Sequence, residues 1–245
     1  MTNKHTILQA AIELVYPRRC PICSDIVTEK GQLACTSCMD KPVLVKEPRC
    51  KKCGKSIEQE EALLCYDCSQ HHFHFNEGYG LWIYDSTMRK SISDFKYKGR
   101  KEYADFYVEE AVKQYGKRIQ EINPDLLVPV PLHRQKERQR GFNQAQVVAS
   151  LLGKKLHIPT ANLLIRNRNT LPQKELSNIE RIKNLSRAFE FSEKGRKKYE
   201  GSIEKVMLID DIYTTGSTIE ACASVLKAQR IKEVYFFCIC IGKGF

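Results

Sequence analysis

Eight of the chain's eleven cysteines fall into four Cys-x-x-Cys pairs at a constant fifteen-residue pitch: Cys20/Cys23, Cys35/Cys38, Cys50/Cys53 and Cys65/Cys68. Two thiolates three residues apart can grip one tetrahedral ion from a tight turn. A second pair, after eleven intervening residues, completes a four-sulfur site. Eight ligands make two such sites, so residues 18–70 read as a double zinc ribbon holding two zinc ions. Equal spacing leaves sequential and crossed pairing open. Sequential sites are favoured, because each then closes one short loop at lower entropic cost. Disulfides are the alternative, but the sequence shows no export signal, which favours metal.

A second chemical pattern lies late in the chain, at Val206-Met-Leu-Ile-Asp210-Asp211-Ile-Tyr-Thr214-Thr215-Gly216-Ser217-Thr218. A short apolar strand ends in two acids, then a hydroxyl- and glycine-rich turn opens into a helix. In parallel α/β sheets, ligands bind outside the carboxyl ends of the strands. Turn amides and the positive end of a helix suit a phosphate. Adjacent carboxylates suit ribose hydroxyls or a hydrated Mg²⁺. A plain strand–turn–helix with a capping hydroxyl would account for Ser217 and Thr218, but not for the acids in series.

This pattern resembles the phosphoribosyl pyrophosphate (PRPP) loop of type I phosphoribosyltransferases. The resemblance implies that Asp210 and Asp211 hold the ribose hydroxyls and that Thr214, Thr215, Gly216, Ser217 and Thr218 hold the 5′-phosphate. It implies further that Val128-Pro-Val-Pro131-Leu132-His133-Arg134 receives the pyrophosphate with magnesium. Thr214 stands where some purine enzymes carry an Asp that assists at the base, which lowers a purine-salvage reading. Further motifs narrow the likeness: Phe95-Lys-Tyr-Lys-Gly-Arg100, Val130-Pro-Leu-His133, Arg140-Gly-Phe-Asn-Gln-Ala145, and Gln173, Arg181, Asn184 and Ala188-Phe189. With the double zinc ribbon they resemble the ComF family of competence proteins over nearly the whole chain. That family implies a role in natural transformation, handling imported single-stranded DNA beside a DNA-translocating helicase and other DNA-processing proteins.

The elements that must position these groups follow from periodicity. Residues 5–16 carry Ile7, Leu8, Ala11, Ile12 and Val15 at helical spacing, stopped by Pro17. This helix is expected to pack on the body of the protein, because ribbons offer little core; membrane-surface binding is the alternative. After Cys68 comes a connector whose His71, His72 and His74 are read as exposed linker residues, since the cysteines already fill two sites. Strands are expected at Gly78–Tyr84, Leu126–Val130, Val206–Ile209 and Val234–Ile241, and helices at Thr87–Phe95, Tyr103–Ile122, Gln144–Leu156 and Ile219–Ala228. Such alternation indicates an α/β fold, a parallel sheet flanked by helices. Cys222, Cys238 and Cys240 read as ordinary core residues. Residues 134–140 are basic without an apolar stripe and read as a mobile loop that closes over pyrophosphate or meets a DNA backbone.

The formal charge is +11, which eight thiolates and two Zn²⁺ reduce to about +7. Residues 1–75 carry ten Lys/Arg against nine Asp/Glu and become slightly negative with zinc, so the positive excess lies in residues 76–245. Residues 89–101 hold Arg89, Lys90, Lys96, Lys98, Arg100 and Lys101 with Phe95 and Tyr97 interleaved, a pattern for single-strand binding, a phosphate pocket or a plain helix end. The chain is thus read as two domains. Residues 1–75 form a helix and double zinc ribbon, and residues 76–245 a phosphoribosyltransferase-like domain. The expectation is a cytoplasmic competence accessory protein without a membrane span that binds PRPP–Mg²⁺ and single-stranded DNA, DNA contacting the second domain. Two alternatives stay open: a nucleotide-salvage phosphoribosyltransferase, and a nucleic-acid scaffold with a PRPP-sensing loop. The acceptor of any transfer is not legible.

Overall fold

The computed structural model describes residues 17–58, 61–167, 188–199 and 201–243. The helix expected over residues 5–16 and the Gln173, Arg181 and Asn184 motif lie outside the described residues.

Each ribbon begins with a turn that folds back on itself. Arg19 bridges Ile26 in the first, and thirty residues later Arg49 bridges Ser56 in the second. Both turns close through the same backbone bonds, Ser24 N to Cys20 O and Gly54 N to Cys50 O, each 2.9 Å. Ser24 and Gly54 both take positive φ, 73° and 77°. The second pair of each ribbon sits on a short turn, the 3₁₀ segment Thr36–Cys38 and helix α1 (Tyr66–Gln70).

The body is a four-stranded parallel sheet in the order β1-β6-β5-β2. Its strands are β1 (Glu77–Ile83), β2 (Leu126–Pro129), β5 (Lys205–Tyr213) and β6 (Glu233–Ile241). Helices α2 (Ser86–Tyr97), α3 (Tyr103–Ile122), α4 (Arg134–Arg140), α5 (Gln144–Leu156), α6 (Glu193–Arg196) and α7 (Ser217–Ala228) connect or follow them. An antiparallel pair, β3 (Leu164–Arg166) with β4 (Phe189–Phe191), stands apart from this sheet. No sequence expectation covered that pair, whose strands are three residues each.

Strand alternation divides the core into two faces. Met207, Ile209, Phe237 and Ile239 pack with α2, α3, α5 and the first ribbon through Cys20, Ile22, Ala34 and Cys38. Val206, Leu208, Phe236 and Cys238 pack with α7, β4 and the second ribbon through Cys50, Cys53, Cys65 and Cys68. The ribbons therefore share the core of the body, contrary to the expectation that they offer little. They straddle one sheet edge: Val45 N donates to Leu81 O at 3.1 Å and Ile83 N to Val43 O at 2.8 Å. The segment between them thus covers the outer side of β1, an edge that would otherwise present unpaired backbone. Among the described residues, no helix is long and apolar enough to cross a membrane.

Residues 134–140 form helix α4, not a loop. His133 caps its start by accepting from Gln135 N at 3.3 Å, and Gly141 ends it at φ 78°. Its Arg, Gln, Lys and Glu residues are strong helix formers, and the last-turn arginines complement the helix dipole. It buries none of its residues, which is why no apolar stripe signals it.

Candidate metal centres and anion cleft

The sulfurs gather in sequential sets, Cys20/Cys23/Cys35/Cys38 and Cys50/Cys53/Cys65/Cys68, all within 4.8 Å of one another inside each set. A tetrahedral zinc about 2.3 Å from each sulfur places the sulfurs about 3.8 Å apart. Cys23 and Cys35 stand at 3.8 Å, and Cys53 and Cys65 at 3.6 Å. Backbone amides of Cys35 and Cys53 point at Cys20 and Cys50 Sγ, each at 3.5 Å, and help carry thiolate charge. Donor type, number and spacing all fit zinc. The metal would supply no reaction here; it ties each pair of turns into one unit.

The second set reaches the late turn through the ring of Tyr213. This tyrosine is buried, stacked on Phe236 at 4.7 Å, with Lys55 Nζ 5.8 Å from its centroid and Lys55 paired to Asp67 at 2.8 Å. Burial raises its hydroxyl well above the ordinary range, with the Cys53, Cys68 and Cys65 sulfurs adding to the effect. The connector is not a free linker. Phe73 and Phe75 are core residues, and the His74 amide donates to Glu220 Oε2 at 2.8 Å while its ring pairs with Oε1. His74 itself is half exposed, as expected of the linker histidines, but Glu220 in the first turn of α7 is buried and needs this partner.

Asp210 and Asp211 lie within β5 rather than beyond its end. The ladder continues because β6 runs alongside, Asp210 opposite Cys238 and Tyr213 opposite Ile241. Successive residues point to opposite faces, so the two acids have different surroundings. Asp211 is buried on the α2 side and bonds Lys96 Nζ at 2.7 Å. Asp210 receives the Asp211 amide at 2.8 Å and lies in the electrostatic reach of Arg166. Burial, reinforced by the Asp211 charge, pushes Asp210 up to about 7. Burial pulls Lys96 down, but the Asp211 charge and hydrogen bond outweigh it and leave the amine raised. Lys136 is lowered by burial and then by Arg166, Arg140 and Lys96, so four cations from α2, α4 and β3 lie near one another, and Lys96 and Arg166 also act on Asp210.

Gly216 precedes α7 at φ 80°, and no side chain caps the helix N-terminus. The plain alternative of a capping hydroxyl at Ser217 or Thr218 is not what forms, because Ser217 Oγ bonds Thr215 Oγ1 at 2.9 Å instead. Thr214 is exposed, while Thr215 and Thr218 are half-buried. Pro131, Leu132 and His133 follow β2 at the same carboxyl end of the sheet, all half-buried, with the His133 backbone bridged to Arg166. The structure thus brings the acids, the turn and this loop to one end of the sheet. It adds Arg166, which the sequence reading did not single out, to Lys96 of the basic run and to Lys136 and Arg140 of the segment expected to close over pyrophosphate. Lys96 carried a signal: it falls four residues after Ile92 and eight after Met88, on the inward-facing side of the helix.

The basic patch over 89–101 needs correction on this basis. Phe95 is fully buried and cannot stack on a base. Lys96 is committed to Asp211, and Lys98 pairs with Asp94 at 2.8 Å. Tyr97 remains, 65% exposed.

A family model described as the double zinc ribbon domain matches residues 11–69. The chain is similar to Competence protein F of Haemophilus influenzae, 26% identical over 209 residues, covering 82% of this chain and 86% of that one. It is similar to Competence protein ComFC of Bacillus subtilis, 29% identical over 201 residues, covering 78% and 77%. A purine phosphoribosyltransferase from Pyrococcus horikoshii overlaps 56% of this chain and 73% of its own at 15% identity and TM-score 0.35, too loose to carry the fold by itself. The α/β architecture rests on the parallel sheet flanked by helices, with the zinc ribbon ahead of it.

Proposed function

We propose that this chain, similar over most of its length to Competence protein F and ComFC, is a competence accessory protein that binds PRPP–Mg²⁺ and single-stranded DNA. The observation that carries the reading is the uncapped N-terminus of α7, joined by a glycine turn to the Asp210–Asp211 pair of β5, with Lys96 and Arg166 beside the acids. The turn amides would hold the 5′-phosphate. Asp210 and Asp211 would hold the ribose hydroxyls, and the loop Pro131–His133 with Lys136 would face the pyrophosphate and its magnesium. The carboxylate of Glu220, in the first turn of α7, is engaged by the His74 amide and ring.

In a transfer, the bond from ribose C1 to pyrophosphate would break, the pyrophosphate leaving with the electron pair, while an acceptor nucleophile forms the new bond to C1. The converging cations suit that developing charge. Thr214 supplies no carboxylate to assist a purine acceptor, which lowers a purine-salvage reading while leaving transfer to another acceptor open. Residues 76–245 would carry both ligands, with the ribbons as structural supports.

The test is a calorimetric titration of PRPP–Mg²⁺ into the zinc-loaded chain with and without a single-stranded oligonucleotide. Each ligand should bind, and any change DNA makes to PRPP affinity must be matched by the reverse effect. No heat and no saturation with PRPP–Mg²⁺ at millimolar concentration would defeat the reading.

A further inference from the structure

Tyr97 and Arg140 form an arrangement that neither the zinc sites nor the ribose acids use. Tyr97 ends α2, immediately after the Lys96 that bonds Asp211, so it stands beside the cleft. It is 65% exposed, and among the described residues only Tyr66 is a comparably exposed aromatic. The Arg140 guanidinium lies 4.9 Å from the Tyr97 ring centroid. That guanidinium is pinned at two points. Its Nη2 donates to the Tyr97 hydroxyl at 3.0 Å, and its Nη1 to Oε1 of Gln144 at 2.8 Å. Gln144 is fully buried at the start of α5, so the fork is anchored in the body. An exposed ring held by a pinned cation loses little freedom when something lands on it.

The surroundings are basic. Arg134 and Arg138 of α4 are exposed and carry no ion pair among the described residues, and Arg100 and Lys101 follow in the next loop. Arg100 lies 3.7 Å from Glu102, and Lys101 covers Phe142 at 5.0 Å, so α4 offers the freer charges. A flat aromatic face beside a run of exposed cations matches a chain of bases joined by phosphates. A solvated Tyr–Arg surface pair is the plain alternative. It gives no reason for anchoring the arginine on a buried amide.

We infer that Tyr97, backed by Arg140, is a stacking platform for one base of a single-stranded nucleic acid, with α4 contacting the adjoining phosphates. This rests on the DNA-binding part of the proposed function and locates that binding at the mouth of the ribose cleft. Stacking releases no counterions, whereas a phosphate contact does. The two contributions are therefore separable by salt.

The experiment is fluorescence anisotropy of a labelled oligo(dA), titrated with the full zinc-loaded chain at several salt concentrations. Tyr97→Ala should weaken binding about 5- to 150-fold at every salt concentration, with the salt slope unchanged. Tyr97→Trp should bind at least as well as the wild type. Arg138→Ala should instead flatten the slope by about 0.7 unit. Melting temperatures confirm that each variant is folded, which exposed positions should permit. Tyr97→Ala binding as tightly as the wild type overturns the platform while leaving DNA binding intact. A loss that disappears at high salt overturns stacking as its cause. A wild-type chain with no affinity for the oligonucleotide overturns the platform together with the DNA-binding reading.

Discussion

Replacing Gly216 by alanine tests the turn where the ribbon, the sheet and α7 meet. Two costs can be read from the geometry. At φ 80° an alanine occupies the left-handed region, which costs about 1–2 kcal/mol. Its Cβ would also lie 2.5 Å from the Tyr213 hydroxyl and 3.0 Å from Cζ. Tyr213 cannot step aside, being buried and stacked on Phe236. Such overpacking costs about 1–3 kcal/mol. Together they predict a loss of about 2–5 kcal/mol, a fall in Tm of about 4–20 °C for a chain of this size. The turn must shift to relieve the contact, and PRPP–Mg²⁺ affinity should drop at least about tenfold (about 1.4 kcal/mol). Gly31 provides a matched control, because it also has φ 80° but an alanine Cβ there would meet nothing within 4 Å. Gly31→Ala should show the backbone cost alone and leave PRPP binding untouched. Tyr213→Phe removes the nearest atom, so Gly216→Ala should cost less in that background. Calorimetry in which Gly216→Ala and Gly31→Ala match in both Tm and PRPP affinity would refute the reasoning.

Lys96→Met leaves Asp211 buried without its partner and should destabilise the fold by about 3–5 kcal/mol in denaturant titration; a loss below about 1 kcal/mol would count against the pair. Asp210 has a folded pKa of about 7 against an ordinary 3.8, so the folded chain holds its proton more tightly. That contribution to stability is complete below about pH 4 and is lost as pH rises through about 7; Asp210→Asn should flatten stability measured across this window. Metal analysis should find two zinc ions per chain, and Cys65→Ser should lower the count to about one. Because that set packs on Tyr213, the same variant should weaken PRPP–Mg²⁺ binding; full affinity in a one-zinc Cys65→Ser chain would rule out support of the turn by the ribbon.

The metal sites were legible because ligand spacing is a local property. Four Cys-x-x-Cys pairs at equal pitch state the donor set, and closure entropy favours the sequential grouping observed. The four parallel strands were legible as apolar runs, since both faces are covered. What stayed hidden depends on chain segments far apart. Lys96 looks like one cation in a basic run, and only the packing of α2 on the sheet turns it toward Asp211, 115 residues away. Glu220 looks like an ordinary helix-start acid until His74 arrives from the connector, 146 residues earlier. Helix α4 escaped because a solvated helix has no hydrophobic period, although Gly141 marked its end. The acids were placed at a strand end because the apolar run stops at Ile209, whereas the ladder follows backbone pairing to Tyr213.

The central claim is that the Asp210–Asp211 pair and its turn hold a ribose 5-phosphate. Asp210→Asn tests it most directly, because removing Asp211 would also strand Lys96 and confuse binding with folding. PRPP–Mg²⁺ is titrated calorimetrically, at a pH about one unit above the Asp210 pKa of about 7, into the wild type and this variant. The wild type should show one saturable site and Asp210→Asn at least about tenfold weaker binding, with two zinc ions retained and a Tm no lower. Equal affinity in the two proteins, or no binding by the wild type, would contradict it.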